Sequence, residues 1–182
     1  KIDYFEHIFY KSFSKPYFCS MKLHRPLIEA ICHGIEEIFI EQKQADKVVD
    51  ILLKSNKKWG ARDRSFIAEN SYEMVRYWRK ICFVAAIEVP QKAHCWQLVG
   101  TWFAMNEVEL PNWNEWTNIS IESVKERVEL ANKDRKISES VPDWLDEWGE
   151  KQFGENWATE LVALNRPALV YLRVNTLKTN AN

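Results

Sequence analysis

Apolar residues recur at three- and four-residue steps along most of this chain, and that spacing constrains its fold more than any other feature. Such a period places the apolar side chains on one face of an α-helix. The 182 residues include only 5 Gly and 6 Pro, against 9 Trp, 9 Phe and 6 Tyr. Few turn-forming residues and many large apolar side chains disfavour small turn-rich β folds and linkers. We therefore expect a mainly α-helical fold.

Helix boundaries follow from residues that start or stop helices. The first helix is expected to begin near Pro26, because proline suits the first turn, and to extend through Glu41. Gly154 is expected to end another helix, which Ser140 and Asp143 would open as a capping box. The helices predicted from the pattern span about 26–41, 45–55, 65–86, 93–105, 121–132, 143–153 and 155–164.

The period changes after the last of these helices. In residues 169–174, apolar residues alternate with Tyr171 and Arg173, a spacing that is typical of a β-strand. A single strand leaves its backbone hydrogen-bonding groups unpaired and is not stable without partners. We therefore expect the chain to end inside a truncated α/β subdomain that begins with this strand.

The predicted elements divide the chain into four parts. Residues 1–21 form an N-terminal extension, and Met21 is a candidate for the natural start. Residues 22–105 form a helical domain, and residues 106–139 form a connector that contains one charged helix. Residues 140–182 hold a helical segment followed by the single strand.

The sequence predicts neither a membrane span nor a secretory signal. The longest uninterrupted apolar run, residues 81–87, is far short of the roughly 20 residues needed to cross a bilayer. Lys11 and Lys15 interrupt the aromatic residues near the N-terminus, unlike the continuous apolar segment of a signal peptide. Four Cys without a C-x-x-C pair are typical of reduced thiols. We therefore expect a cytoplasmic protein.

A formal net charge of -1 conceals two blocks of opposite sign. Residues 54–80 carry eight Lys and Arg against three acids, whereas residues 107–160 carry six against fourteen. Residues 161–182 hold three basic residues and no acid. Separate blocks of this kind suggest a surface for a polyanion on one part of the chain, although charge alone favours ordinary solvated helix faces.

The basic block is the strongest functional signal. Clustered Lys and Arg gain affinity for phosphates by releasing condensed counterions, and Arg adds two-pronged hydrogen bonds. A structural interpretation competes with this one, because Asp63 is also placed to cap the helix that follows Gly60. For Arg64, contact with phosphate and an ion pair with a helix acid remain equally open.

Signals for catalysis or metal binding are nearly absent. The sequence has no dinucleotide-binding, phosphate-binding or hydrolase motif, and its five glycines are scattered. Adjacent helical residues point about 100° apart, so Cys32-His33 and His94-Cys95 are expected to be buried thiols beside surface imidazoles rather than chelates. We assign no catalytic residue and no metal ligand. Trp144, Trp148 and Trp157 are expected to anchor a core rather than to stack on bases.

Two stretches resemble a known family. Residues 45–47 (ADK) and 57–69 (KKWGARDRSFIAE) are similar to the N-terminal domain of Fmu/Sun (RsmB-type) ribosomal RNA cytosine-C5 methyltransferases. Residues 141–145 (VPDWL) resemble the Pro-x-Trp-Leu segment of that family. Residues 165–168 (NRPA) and 172–178 (LRVNTLK) resemble its N-x-P and L-R-V-N-T-L-K block, which is the more specific match.

The resemblance implies a NusB-like helical bundle in residues 22–105, then a connector and the first strand of a small RNA-binding subdomain. In the family, a Rossmann-like domain follows, binds S-adenosylmethionine and uses cysteines in Thr-Cys and Pro-Cys motifs. No cysteine of this chain follows Thr or Pro. The resemblance therefore implies that a parent methyltransferase binds S-adenosylmethionine. It implies no cofactor site and no catalytic residue within these 182 residues.

Taken with the basic block, the resemblance implies that this chain binds ribosomal RNA and positions it for the catalytic domain of a methyltransferase. The rival hypothesis is a NusB-like module for a protein partner, with the acidic block 107–160 as its working surface. The residues expected to contact RNA phosphates are Lys57, Lys58, Arg62, Arg64, Arg79, Lys80, Arg166, Arg173 and Lys178.

Overall fold

A computed structural model describes residues 22–166 of the chain. Within that range the protein is mainly α-helical and contains no strand, so the predicted fold class is confirmed at this level. The NusB-like arrangement of the bundle remains a prediction. The strand predicted at residues 169–174 lies outside the described residues, as do Arg173 and Lys178.

The helices follow one another with short connections. In the bundle they are α1 (Arg25–Ile35), which continues as a π-helical turn (Glu36–Ile40), α2 (Ala45–Ser55), α3 (Ala61–Arg76), α4 (Trp78–Val84) and α5 (Cys95–Met105). After the bundle come α6 (Ile121–Ala131), α7 (Arg135–Ser138), α8 (Asp143–Phe153) and α9 (Trp157–Leu164). Single 3-10 turns occur at Lys92–His94, Asn114–Trp116 and Gly154–Asn156. No helix in residues 22–166 is both long and apolar enough to cross a bilayer.

Two predicted boundaries are wrong. The helix expected at 65–86 begins earlier, at Ala61, because the Asp63 carboxylate accepts a hydrogen bond from the Gly60 amide at 3.0 Å. The same helix is interrupted at Tyr77, whose φ of -100° and ψ of 22° are not helical. The predicted role of Asp63 as a cap is therefore confirmed, while the continuous helix is not.

The capping box predicted at Ser140 and Asp143 does not form. Pro142 occupies the N-cap position of α8, and no side chain caps that end. Ser140 instead has a left-handed φ of 59°, and its hydroxyl accepts a hydrogen bond from the Lys80 amide at 3.3 Å. Gly154 ends α8 as predicted, with a φ of 53° that glycine adopts without strain.

The main core lies where α1, α3 and α5 meet. Ile31, Ile67 and Phe103 are completely buried there. Within this core the Trp102 indole donates a hydrogen bond to the Asn70 side-chain oxygen at 2.9 Å. Asn70 in turn donates to the Phe66 carbonyl at 2.8 Å, so this buried amide is satisfied.

A smaller apolar cluster holds α8 and α9 together. It consists of Val141, Trp157 and Leu161, with the Leu145 side chain packed against it. The Trp157 ring lies directly on Gly149, where a Cβ atom would overlap the indole. Helix α9 therefore docks on the face of α8 that glycine leaves open.

Candidate nucleic-acid interface

The corner between α2 and α3 displays exposed positive charge. Lys57 and Lys58 lie in the turn, which is fixed by a hydrogen bond from the Lys58 amide to the Asn56 side chain at 3.0 Å. No carboxylate within residues 22–166 pairs with either ammonium group. Arg62 is exposed in the first turn of α3. These three cations therefore share one exposed corner.

Arg64 lies next to this corner but is only half-exposed. Its Nε is buried and has no hydrogen-bond partner within the described residues. An ion pair with a helix acid was one of the two expectations for Arg64, and residues 22–166 provide none. A buried guanidinium nitrogen without a hydrogen-bond partner is costly.

Arg79 and Lys80 are engaged within the protein. Arg79 donates to the Val141 carbonyl at 2.6 Å and to the Asp143 carboxylate at 2.8 Å. The Lys80 ammonium donates to the Asn132 side-chain oxygen at 2.8 Å, and burial lowers the pKa of Lys80. Both side chains tie α4 to the segments around α7 and α8. The structure therefore does not present them as free phosphate contacts beside Lys57.

Arg166, the last described residue, is exposed just after α9. It belongs to the α8–α9 part of the molecule and not to the corner between α2 and α3. The structure brings together Lys57, Lys58, Arg62 and Arg64 from the predicted set, and it separates Arg79, Lys80 and Arg166 from them.

The cysteines are structural in the described part of the chain. Cys32 and Cys95 are buried, whereas Cys82 is half-buried. Burial raises the pKa of Cys95 to about 11 and that of Cys82 to about 12, so these thiols are protonated at neutral pH. His33 is exposed beside Cys32, as expected for a surface imidazole next to a buried thiol. In residues 22–166, no three His, Cys, Asp or Glu side chains are grouped so that they could hold a metal ion.

The expectation for the three tryptophans is wrong in two cases. Trp157 is buried, with 2% of its surface exposed, and anchors the α8–α9 cluster as predicted. Trp144 and Trp148 are 68% and 53% exposed. The reason is that Gly149 and Asp146 form the inner face of α8, and Trp157 fills it. Trp144 and Trp148 lie one helical turn apart on the other side.

The inner face of α8 also holds an ion pair, in which the Asp146 carboxylate is buried and the Arg135 side chain is partly exposed. Arg135 donates to both carboxylate oxygens of Asp146 at 2.8 and 2.9 Å, and the Trp157 indole donates to Asp146 at 2.8 Å. These hydrogen bonds, that of Arg135 first, lower the pKa of Asp146. The acid is therefore a structural anchor, which sequence analysis missed because its partners are eleven residues away on either side.

Among the predicted residues, those at the corner between α2 and α3 form the arrangement that most resembles a binding site. Comparisons of the chain with family models, with curated proteins and with solved structures find no match.

Proposed function

We propose that this chain is the RNA-binding N-terminal part of an S-adenosylmethionine-dependent ribosomal RNA (cytosine-5)-methyltransferase. In this role it binds RNA and positions it for a catalytic domain. The observation that carries the proposal is the cluster of exposed cations formed by Lys57, Lys58 and Arg62, with Arg64 beside it. The resemblance of residues 57–69 and 165–178 to the Fmu/Sun family supports the choice of RNA and of the methyltransferase class.

Our proposal places the binding site for S-adenosylmethionine outside the described residues. Binding of S-adenosylmethionine would need a loop whose backbone closely approaches the ligand, and glycine is the residue that permits this. Gly34, Gly100 and Gly149 are buried against neighbouring side chains within helices, and Gly60 precedes a helix that begins beside lysines. In our proposal the cofactor and the reacting cysteines therefore belong to another part of the parent protein.

The number of exposed cations sets the expected salt dependence. Each phosphate contact to single-stranded RNA contributes a slope of about -0.7 to the dependence of log K on log salt concentration. Three contacts, from Lys57, Lys58 and Arg62, therefore contribute a slope of roughly -2. Three phosphate contacts make a moderate contribution to RNA affinity, which is consistent with a domain that assists a catalytic domain.

The test is a triple charge reversal, Lys57→Glu, Lys58→Glu and Arg62→Glu. Binding of a labelled ribosomal RNA fragment is measured by fluorescence anisotropy across a salt series. We expect the affinity to fall at low salt and the slope to become shallower by about 2.

The matched control reverses three cations that are exposed within the acidic block, Lys125, Lys133 and Lys151. Its net charge is the same, so a general loss of attraction would affect both variants equally. If the two triple variants lose RNA affinity to the same extent, the corner between α2 and α3 is not the binding surface. Salt-tolerant binding to a protein, together with unchanged RNA binding, would instead favour the NusB-like interaction module.

A further inference from the structure

The outer face of α8 exposes an unusual amount of apolar surface. Trp144 and Trp148 are 68% and 53% exposed, and Phe153 at the end of the helix is 45% exposed. The Phe153 ring meets the Trp148 ring edge-on, with 6.4 Å between their centroids, so the apolar surface continues to the end of the helix. Contiguous apolar patches of this kind mark contact sites on a protein surface. We call these three side chains the aromatic face of α8.

The charged residues of α8 divide into those that are paired within the protein and those that are not. Three acids form ion pairs with basic residues of neighbouring segments, namely Asp143, Asp146 and Glu150. The other two charged side chains of the helix, Glu147 and Lys151, are exposed and form no ion pair within residues 22–166. Each of them follows a tryptophan by three residues, so both lie on the tryptophan side of the helix. The aromatic face is therefore bordered by one unpaired acid and one unpaired base.

This pair of opposite charges restricts what can cover the aromatic face. A phosphate backbone would be attracted by Lys151 and repelled by Glu147, and a strongly basic segment would experience the reverse. An apolar surface that carries its own acid and base at a matching spacing leaves neither charge unpaired. A second copy of α8 is such a surface, because two-fold symmetry brings the acid of each copy to the base of the other.

The spacing along the helix is compatible with this symmetry. If two α8 helices pack antiparallel about an axis midway between Glu147 and Lys151, each acid lies opposite the base of the other copy. The two copies of Trp148 are then offset by about 3 Å along the helix, so their rings can overlap. Trp144 reaches the end of the other helix, where Phe153 is exposed.

We propose that two copies of this chain associate through the aromatic face of α8, with reciprocal ion pairs between Glu147 and Lys151. The association does not depend on the proposed RNA-binding function, because the corner between α2 and α3 takes no part in it. A formal net charge of -1 adds little repulsion between the copies.

The exposed area of the aromatic face sets the strength of the association. The exposed fractions of its three side chains correspond to roughly 400 Å² per copy. Two copies therefore bury about 800 Å², which is less than the roughly 1,200 Å² at which stable interfaces begin. We expect a weak, reversible dimer that forms only as the protein concentration rises.

The first test measures the mass of the full chain by sedimentation equilibrium, from micromolar to millimolar concentrations. We expect the wild type to pass from monomer to dimer across this range. Replacing Trp144→Ala and Trp148→Ala should raise the dissociation constant by at least on the order of tenfold, because exposed aromatic side chains dominate such contacts. The control variant carries Ile51→Ala and Val89→Ala, which are exposed apolar residues elsewhere and should leave the dissociation constant unchanged.

The second test reverses the two charges in separate variants, Glu147→Lys and Lys151→Glu. Each variant places like charges opposite each other at both ends of the contact, so we expect each to self-associate on the order of tenfold more weakly than wild type. An equal mixture of the two variants should regain the wild-type affinity, because a face with two bases then meets a face with two acids. A change within one chain could not produce this recovery.

Three outcomes would overturn the proposal. The wild type could remain a monomer at millimolar concentration, the tryptophan variant could associate as tightly as wild type, or the mixture could associate no more tightly than either charge variant alone. Circular dichroism and thermal melting of each variant verify that the helices are intact, so a loss of association cannot be attributed to unfolding.

Discussion

Gly100 offers the sharpest test of how the bundle and the connector pack. This residue lies within α5 and faces Trp116, which is 3% exposed. A Cβ atom at position 100 would lie 2.6 Å from the Trp116 Nε1 and 2.7 Å from its Cδ1, and it would also overlap the Ile119 side chain. Replacing Gly100 with Ala therefore forces the connector away from the bundle.

The expected cost of Gly100→Ala is a balance of three contributions. Overpacking a core with one extra methyl group costs about 1–3 kcal/mol. The displaced ring also loses part of the hydrogen bond from Trp116 to the Trp96 carbonyl, which is 2.8 Å long and contributes about 1 kcal/mol. Alanine's higher helix propensity returns about 1 kcal/mol. The net destabilisation is about 2 kcal/mol, which lowers the melting temperature by about 4–8 °C in a chain of this size.

Urea denaturation, followed by circular dichroism, measures this change in the free energy of unfolding. The test of mechanism is the same substitution in a Trp116→Phe background, because Phe lacks the five-membered ring that faces Gly100. The cost of Gly100→Ala should shrink there without vanishing, because the added methyl group still overlaps the Ile119 side chain. An equal cost in both backgrounds would refute the reasoning that the clash with the indole causes the loss.

Two further predictions concern charged anchors. Because Arg135 lowers the pKa of Asp146 in the folded state, the stability that this pair contributes is complete above the unfolded pKa of 3.8 and is lost as pH falls through the folded pKa. Asp146→Asn should therefore lower stability at pH 7 by roughly 2 kcal/mol and weaken its pH dependence below pH 4, which denaturation at several pH values measures. Arg79→Met should cost about 1 kcal/mol of stability but leave the salt dependence of RNA binding unchanged, because the Arg79 guanidinium is bonded to Val141 and Asp143. A change in the salt dependence of RNA binding would instead show that Arg79 contacts RNA.

The positions of the helices could be predicted because apolar periodicity is a local property of the sequence. Helices α2 and α6 lie within one residue of their predicted ranges, since an apolar stripe and nearby stop residues define both. The break at Tyr77 could not be predicted. It depends on α4 turning to meet α6 and α7, and a pattern within residues 65–86 carries no information about those partners.

The candidate site was harder to predict than the fold because the sequence gives a charge but not its neighbours. Lys57 and Arg79 are equivalent as members of a basic block, yet the partner of Arg79 is Asp143, 64 residues further along the chain. Trp144 and Trp157 likewise differ in burial because only one of them meets a glycine on a facing helix. Contacts of this kind are set by packing between helices, which spacing alone does not encode.

Arg127 carries the last prediction, because it connects α6 to the end of α4. Its Nε donates to the carbonyls of Phe83 and Val84 at 3.0 Å each, and its guanidinium carbon lies 5.0 Å from the centre of the Phe83 ring. Carbonyls in the last turn of a helix lack intrahelical partners and carry partial negative charge. A guanidinium group, which is positively charged and can donate to both carbonyls, therefore binds them favourably. Arg127→Met should cost about 2–3 kcal/mol of folding free energy, since hydrogen bonds from a charged donor are lost.

The contributions of the paired hydrogen bonds and of the positive charge of Arg127 can be measured separately. Arg127→Lys keeps the positive charge beside the end of α4 but cannot bond two carbonyls in one plane, so we expect it to recover about half of the loss. Lys125→Met, an exposed neighbour on the same helix, should change stability by less than about 0.5 kcal/mol. Chemical denaturation measures all three variants. If Arg127→Lys is as stable as wild type, the attraction between a positive charge and the helix end is sufficient, and the paired hydrogen bonds contribute nothing to the attachment of α6.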